Sequence, residues 1–285
     1  MLISQLTQKQ NPDGGWPYGR GGSWTEPTVY AVLALASTGE SAAAELGLNW
    51  ICAAQRGDGG WPARPGVGES CWVTSLAAIL PPELLGVARH RRAIAWLLAT
   101  TGMESSALYR VRQWLMGKPS TGDSSVTGWP WVPGSAAWVS PTSLAILALD
   151  RENRLRPAAA LAARIDEGRQ FLFNRMCKGG GWNHGSTRAL GYESSAYPET
   201  TGRALAALRG CHGSDTDQSL ALALRFLVGC RSADAVNWLR LGLAAHGRLP
   251  AGYTPPPGIT YRTVPEIATS IMADEAVVGK SVFWI

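Results

Sequence analysis

A short glycine–tryptophan motif recurs along this chain of 285 residues and constrains the fold more than any other feature of the sequence. Two copies contain the string Asp-Gly-Gly-Trp, a third contains Gly-Gly-Gly-Trp, and a fourth is weaker. The copies are Gln10–Trp16, Gln55–Trp61, Lys178–Trp182 and Thr127–Trp131. Such self-similarity indicates one supersecondary unit that is repeated and stacked along the chain.

A second common element follows each copy of the motif. It contains an aromatic residue, a threonine in a constant register, and then a run rich in alanine and leucine. The aromatic residues are Trp24, Trp72, Trp138 and Tyr197, and the register threonines are Thr28, Thr74, Thr142 and Thr201. Proline and glutamate near the threonine are typical of a first helical turn. The run is apolar on all sides, which predicts a buried, inner helix.

The segments that precede the glycine–tryptophan loops have a different pattern. Ala43–Ala54 and Pro157–Met176 carry charged residues on one side and apolar residues on the other, as outer helices do. The paired glycines permit a sharp reversal after each outer helix, because glycine adopts positive φ without a steric cost. The loop tryptophans Trp16, Trp61 and Trp182 are expected to pack over the joint between the two helices.

Alternating outer and inner helices predict an all-α fold, an α/α toroid in the form of an incomplete (α/α)6 barrel, as one domain over residues 1–285. The predicted inner helices lie near residues 27–38, 72–80, 139–149, 199–209, 233–246 and 264–276. The predicted outer helices lie near residues 2–9, 42–54, 88–99, 157–176 and 215–230. Residues 103–117 are compatible with an extra helix. Residues 247–262 are too rich in proline for a helix, so one outer element is expected to be missing.

The composition supports a large core and argues against several classes of partner. Hydrophobic residues make up 46% and charged residues 16% of the chain. The net charge is +5, but only Arg89, Arg91 and Arg92 form a dense basic group. Nucleic-acid binding requires a basic stripe, so we expect no nucleic-acid partner.

Several features of the sequence bear on the location of the protein. The five cysteines are irregularly spaced and form no Cys-x-x-Cys pair, which favours a reducing compartment. The N-terminus does not resemble a signal peptide. No apolar run reaches the roughly 18–20 residues of a membrane span, so we expect no transmembrane segment. The sequence therefore predicts a cytoplasmic protein, and peripheral contact with a membrane stays open.

The second repeat carries the most specific resemblance. Trp50–Trp61 matches the pattern aromatic-Leu/Ile-x3-Gln-x3-Gly-x-Trp in full. Phe171–Trp182 matches it except that Met176 replaces the glutamine, and Gln10–Trp16 matches the part of the pattern from the glutamine onward. The pattern resembles the QW repeat of squalene–hopene and oxidosqualene cyclases, which are related to protein prenyltransferase β subunits. The resemblance covers about residues 1–210 and implies an α/α toroid, but one fold hosts several chemistries.

The catalytic motifs of these families do not carry over. The resemblance to squalene–hopene cyclases implies an Asp-x-Asp-Asp acid, but the nearest string, Asp215–Gln218, lacks the last aspartate and begins a predicted outer helix, where a cap is the favoured interpretation. The Asp-x-Cys of prenyltransferase zinc sites is absent. Cys211–Gly213 matches the Cys-His-Gly motif of zinc-dependent lanthionine cyclases, but it follows an inner helix. We expect no cofactor and no metal ion.

The candidate site is the mouth of the toroid, where the inner helices begin. The candidate catalytic residues are Glu26, Glu199 and Glu266. Because helix N-termini stabilise carboxylates, these residues favour a role as a cap, cation partner or general base. Aromatic faces there can hold an isoprenoid chain or stabilise a carbocation. The candidate substrate-binding residues are Trp24, Thr28, Tyr30, Trp72, Thr74, Trp138, Thr142, Tyr197, Thr201 and Arg203.

Three functions remain open on these residues. The first is a terpenoid cyclase- or prenyltransferase-like protein that acts on or binds an apolar, isoprenoid-type small molecule in the central cavity. The second is a non-catalytic toroid that binds a peptide or partner protein, and the third is a zinc-dependent enzyme similar to lanthionine cyclases. A deep apolar cavity larger than ~300 Å³ would favour the first.

Overall fold

A computed structural model describes residues 1–105, 127–186 and 192–284, together with the single positions 111, 115, 188 and 189. The regular secondary structure of the described part is almost entirely α-helical. Its α-helices are α1 (Leu2–Gln8), α2 (Thr25–Thr38), α3 (Ser41–Ala54), α4 (Val73–Ile79), α5 (Pro82–Leu85), α6 (Val87–Ala99), α7 (Val139–Leu155), α8 (Ala159–Asn174), α9 (Pro198–Ala207), α10 (Ser214–Gly229), α11 (Ala233–Ala245) and α12 (Val264–Val277). A 3-10 turn covers Met103–Ser105, and β1 (Arg188–Ala189) pairs antiparallel with β2 (Tyr192–Glu193).

The inner helices form a closed ring. In order around it they are α2, α4, α7, α9, α11 and α12, and α12 packs back against α2. Outer helices cover this ring: α3 packs on α2, α6 on α4 and α7, α8 on α7, and α10 on α9 and α11. The fold is therefore an α/α toroid, as the alternation of buried and amphipathic segments predicts.

The ring closes although one outer helix is missing. Residues 246–263 contain no helix, as their proline content predicts. The N-terminal helix α1 packs against α12 and so covers the last inner helix of the ring. The toroid therefore joins the two ends of the described chain.

Most predicted helices agree with the structure to within two or three residues. The inner helix α7 is longer than predicted, because it continues to Leu155 through a charged segment. The four-residue helix α5 and the β1–β2 hairpin were not predicted. The extra helix proposed for residues 103–117 falls mainly outside the described residues.

The loop tryptophans hold each outer helix to its inner helix. All four are buried, with exposed fractions of 0–1%. Each indole Nε1 donates a hydrogen bond of 2.6–2.9 Å to a carbonyl near the end of the preceding outer helix: Trp16 to Leu6, Trp61 to Ile51, Trp129 to Leu97, and Trp182 to Leu172. Each acceptor lies in the last part of its helix, where a carbonyl lacks the N–H four residues further on. The tryptophans therefore pack over the joint, as predicted.

The glycines of the loops allow a close approach to the next outer helix. Gly14 and Gly59 have φ near +90°. A Cβ at Gly14 would lie 2.7 Å from the Leu46 carbonyl oxygen, and one at Gly59 would lie 2.6 Å from that of Arg92. Both the conformation and the space therefore require glycine.

One backbone hydrogen bond to the neighbouring repeat is present at the start of four inner helices, α2, α4, α7 and α12. The acceptor is the carbonyl of the residue two positions after the loop tryptophan of the next repeat. The bonds are Thr25 to Ala63, Trp72 to Trp131, and Val139 to His184, and the ring is completed by Val264 to Tyr18. The last of these joins α12 to the first loop, so the repeat geometry continues across the closure.

Aromatic side chains fill the axis of the ring. Tyr30 and Trp238 lie with their ring centroids 6.4 Å apart, and Phe283 packs 5.8 Å from Trp238 on the other side. Their exposed fractions are 2%, 0% and 0%. These three side chains are therefore shielded from solvent.

No helix in the described ranges is both long and apolar enough to span a bilayer.

Candidate functional site

The mouth of the toroid is built by the N-terminal ends of the inner helices. Trp24, Trp72, Trp138 and Tyr197 occupy the residue before the first turn of α2, α4, α7 and α9. Trp138 is 39% exposed and Tyr197 is 43% exposed, whereas Trp24 and Trp72 are partly buried. The repeated sequence element thus places four aromatic rings around one opening.

A second set of rings comes from the loops, at the position two residues after each loop tryptophan. Tyr18 packs against Trp24 with centroids 5.6 Å apart, and Trp131 packs edge-on against Trp72 at 4.9 Å. His184 lies between Trp138 and Tyr197, at 6.5 and 5.3 Å. The fourth member of this set is Ala63, and Arg64 beside it covers the Trp24 ring at 5.2 Å. The mouth therefore has a nearly continuous aromatic rim.

Glu26 lies inside this rim, in the first turn of α2. It is partly buried and accepts a short hydrogen bond from the phenol of Tyr18. Burial raises the pKa of Glu26 above its usual value, and the Asp234 charge adds to the increase, whereas the Tyr18 hydrogen bond and the Arg203 charge oppose it. Burial therefore outweighs the helix N-terminus, which from sequence is expected to keep the carboxylate ionised.

The same interaction acts on the tyrosine. Burial and the neighbouring Glu26 charge raise the pKa of Tyr18, so the phenol keeps its proton and remains a donor. Tyr30, also predicted as a substrate-binding residue, lies deeper, and burial raises its pKa too. It is only 2% exposed and belongs to the aromatic cluster on the axis.

An ion pair forms the floor of the mouth. Arg203 of α9 donates to both carboxylate oxygens of Asp234 at 2.8 and 3.1 Å, and its guanidinium lies 5.0 Å above the Trp238 ring. Arg203 also interacts electrostatically with Glu26 and Glu199. The structure thus brings Glu26, Glu199 and Asp234 together around one arginine.

The third predicted glutamate has a different environment. Glu266 forms a capping box at the start of α12: its Oε2 accepts the backbone N–H groups of Arg262 and Thr263 at 2.7 and 2.8 Å. The Thr263 hydroxyl accepts the Glu266 N–H in return. Glu266 therefore acts as a helix cap, which is one of the three roles proposed for it from the sequence. We leave Glu266 out of the site.

The register threonines support the loops. Each is fully buried, and its hydroxyl accepts the backbone N–H of the loop tryptophan at 2.9–3.0 Å: Thr28 from Trp16, Thr74 from Trp61, Thr142 from Trp129, and Thr201 from Trp182. Their common register therefore reflects a structural hydrogen bond. They offer no exposed surface to a ligand, so we leave these threonines out of the site.

The described residues form neither a zinc site nor an acid site at the Asp215–Gln218 string. There, no three His, Cys, Asp or Glu side chains are close enough together to hold a metal ion. Asp215 and Asp217 lie in the exposed first turn of α10, where an acidic residue complements the free N–H groups. Cys211 and His212 follow α9 at the end of the ring opposite the mouth.

Sequence reasoning missed several residues of the mouth, namely Tyr18, Arg64, Trp131, His184 and Asp234. Three of them could have been found by aligning the repeats. Tyr18, Trp131 and His184 each stand two residues after a loop tryptophan. Asp234 carries no such signal, since α11 has no glycine–tryptophan loop before it. Its contact with Arg203 depends on the ring.

Comparison with solved structures places the fold among known toroids. A GH8 endo-beta-1,4-glucanase from an Achatina fulica gut metagenomic library has a TM-score of 0.62 and 12% identity, over 96% of this chain and 97% of that one. The endo-beta-1,4-glucanase CMCax of Acetobacter xylinum has a TM-score of 0.60 and 15% identity, over 98% of each chain.

A terpene cyclase shares the fold as well. The type II terpene cyclase MstE of Scytonema has a TM-score of 0.55 and 17% identity, over 99% of this chain and 77% of that one. No family model and no curated protein sequence matches the chain. The chain is thus an α/α toroid of the kind found in terpene cyclases and glycosidases, and identities this low show the fold alone.

Proposed function

We propose that the mouth is the active site of a glycosidase-like enzyme, with Glu26 as its general acid. The observation that supports this most directly is the pairing of unlike carboxyl groups. The raised pKa of Glu26 favours its protonated form, whereas Asp234 forms an ion pair with Arg203. Most glycosidases use two carboxyl groups, one as a general acid and the other as a base or nucleophile, and their different environments assign these roles.

The reaction follows from these roles. Glu26 donates its proton to the leaving oxygen as the bond from the sugar carbon to that oxygen breaks. A water molecule attacks the sugar carbon and loses a proton to Asp234, so the products together contain one added water. Return of that proton to Glu26 through solvent restores the enzyme.

The shape of the mouth supports a saccharide as the substrate. Tyr18, Trp138 and Tyr197 are 37–43% exposed, and their faces are available to the apolar side of a sugar ring. The carboxylates and Arg203 offer partners for its hydroxyl groups. Because the axis beneath is filled by Tyr30 and Trp238, a ligand lies across the opening, as a chain of sugars does. The two endo-beta-1,4-glucanases also match this chain over nearly their whole length.

An isoprenoid substrate is the second candidate. The exposed aromatic faces can stabilise a carbocation, and a protonated Glu26 can protonate an alkene. A variant of the Scytonema cyclase in complex with geranylgeranyl dihydroxybenzoate, with a TM-score of 0.55 and 16% identity, shows that the fold accepts such a molecule. The filled axis argues against a long chain buried in this toroid.

Incubation with soluble β-1,4-glucan and cello-oligosaccharides, and separately with geranylgeranyl dihydroxybenzoate, tests the two candidates. We expect release of reducing ends from the saccharide and a loss of at least about a hundredfold in Glu26→Gln, because the proton donor is removed. Glu45→Gln, an exposed carboxylate on α3, is the matched control. Conversion of the isoprenoid instead would overturn the proposal, and saccharide or peptide binding without turnover would identify a binding module.

Tyr18→Phe provides a second readout. The phenol stabilises the ionised form of Glu26, so its removal raises the pKa of Glu26 further. A general acid is active below its pKa, and we therefore expect the alkaline limb of the kcat/KM profile to move to higher pH. A profile that is unchanged or shifted to lower pH contradicts the assignment of Glu26.

A further inference from the structure

A second concave region lies at the end of the ring opposite the mouth. It is a cavity of about 390 Å³ between the C-terminal ends of α7, α9 and α11. We call it the basal pocket, and its charged and histidine lining consists of Asp150, Arg154, Arg209, His212 and His246. Its volume lies within the range of small-molecule sites.

The basal pocket carries an excess of positive charge. Asp150 is the acidic residue of its described lining, and both of its oxygens are already engaged: Oδ2 with Arg154 and Oδ1 with Arg169, each at 3.4 Å. Arg209 is exposed and stacks over the Trp284 ring at 5.6 Å, with no carboxylate within salt-bridge distance among the described residues. The guanidinium groups therefore outnumber the acid that faces them.

Two histidines, His212 and His246, also line the basal pocket. His246 Nε2 lies 2.9 Å from the Leu205 carbonyl, which fixes the ring at the wall of the pocket. The pKa of His246 is lowered by burial and also by the nearby His212, Arg209 and Arg248, against the opposing effect of that hydrogen bond. Cationic groups that converge on one cavity favour an anion within it.

We propose that the basal pocket binds a phosphate group, with Arg209 and His212 as its principal partners. A guanidinium presents paired N–H donors that match phosphate oxygens, and a phosphate group offers more acceptor oxygens to this lining than a single carboxylate does. Because the site uses none of the residues of the mouth, it is independent of the function proposed there.

Titration calorimetry with inorganic phosphate, pyrophosphate and glucose 6-phosphate tests the proposal, with chloride added to a constant ionic strength. We expect saturable binding that weakens at least about tenfold in the double variant Arg209→Gln/His212→Gln, because the charge-assisted contact of Arg209 and the hydrogen bond of His212 are both lost. Arg225→Gln is the matched control, since Arg225 is an exposed arginine that is not part of the described lining of the pocket. Tighter binding of glucose 6-phosphate than of inorganic phosphate identifies a phosphate ester as the ligand, and the reverse identifies free phosphate.

Two results would overturn the proposal. One is the absence of binding beyond the effect of chloride, which indicates nonspecific screening. The other is an equal loss of phosphate affinity in Arg225→Gln and in the double variant, when circular dichroism shows that both variants are folded. Glu26→Gln is expected to bind phosphate as the native protein does, so failure of the glycosidase-like proposal and failure of this one give different results.

Discussion

The backbone N–H of Val264, at the start of the last inner helix, donates a hydrogen bond of 2.8 Å to the Tyr18 carbonyl in the first loop. The same bond joins consecutive repeats elsewhere in the ring, so the closure uses the contact of an ordinary repeat. The side chain of Tyr18 in turn holds Glu26. The residue that helps to close the toroid thus also lowers the pKa of the proposed acid, against the larger effect of burial.

The register threonines are predicted to act on stability. In Thr74→Val the backbone N–H of Trp61 loses its acceptor inside the core, which is expected to lower the free energy of unfolding by about 1–3 kcal/mol. Urea denaturation measures this loss. Thr254→Val, in an exposed loop, is the control and is expected to change stability by less than about 0.5 kcal/mol. Equal stability of Thr74→Val and the native protein would show that this hydrogen bond is dispensable.

The imperfect third repeat offers a stabilising substitution. The amides of Gln10 and Gln55 each donate two hydrogen bonds of 2.8–3.0 Å, one to their own loop and one to the next outer helix. Met176 replaces this residue, and Ser219 accepts the Gly181 N–H beside it. Met176→Gln restores a donor of similar size, so we expect a gain of about 0.5–1.5 kcal/mol.

The midpoint of urea unfolding measures the effect of Met176→Gln. Met103→Gln, at a half-exposed methionine in the 3-10 turn, controls for the change in side-chain polarity. A loss of stability in Met176→Gln but not in the control would contradict this expectation. It would indicate that Ser219 already connects the loop to the next outer helix and that the new amide clashes with the Ser219 side chain.

Glu26 is expected to reduce stability at neutral pH. Its folded-state pKa lies above the ordinary value of 4.5, so its contribution is fully present below that pH and is lost as pH rises through the raised value. Glu26→Gln removes the desolvated charge, and we expect it to be more stable than the native protein at pH 7 by up to about 1 kcal/mol. The difference is expected to vanish near pH 4.

Unfolding of Glu26→Gln and of the control Glu45→Gln in urea at both pH values checks this expectation. A variant that is less stable at pH 7 would show that Tyr18 and Arg203 favour the carboxylate more than burial opposes it.

A buried histidine is predicted to control the response to acid. His90 is 1% exposed, its Nε2 lies 3.0 Å from the Ala78 carbonyl, and its Nδ1 lies 3.7 Å from Glu152. Burial lowers its pKa below 6.5, and the nearby Glu152 only partly offsets this. The stability that His90 contributes is therefore present above pH 6.5 and is lost as pH falls through the lowered value.

Replacement of His90 by Gln is expected to flatten the dependence of stability on pH in the range below about 6.5. Urea denaturation at intervals across that range provides the measurement, and the exposed His184→Gln is the control. A slope that persists unchanged in His90→Gln assigns the acid response to another group.

The sequence alone determined the toroid. The repeated Gly-Gly-Trp loops, the register threonines and the apolar runs after them are local patterns, and each sets a helix, its burial and its reversal without reference to distant residues. The pattern also located the mouth, because the aromatic residues and Glu26 stand at helix starts. The pattern did not distinguish structural residues from residues of the mouth. Thr74 and Glu26 both lie in the first turn of an inner helix, but Thr74 accepts a buried N–H whereas Glu26 is only partly buried.

Only the tertiary structure decided what the mouth contains. Asp234 reaches Arg203, and Phe283 reaches Trp238, across stretches of sequence that no short-range pattern connects. The protonation of Glu26 likewise depends on burial and on Tyr18, Arg203 and Asp234. Charge interactions and desolvation are set by distances in space. They therefore appear only once the ring has brought its inner helices together.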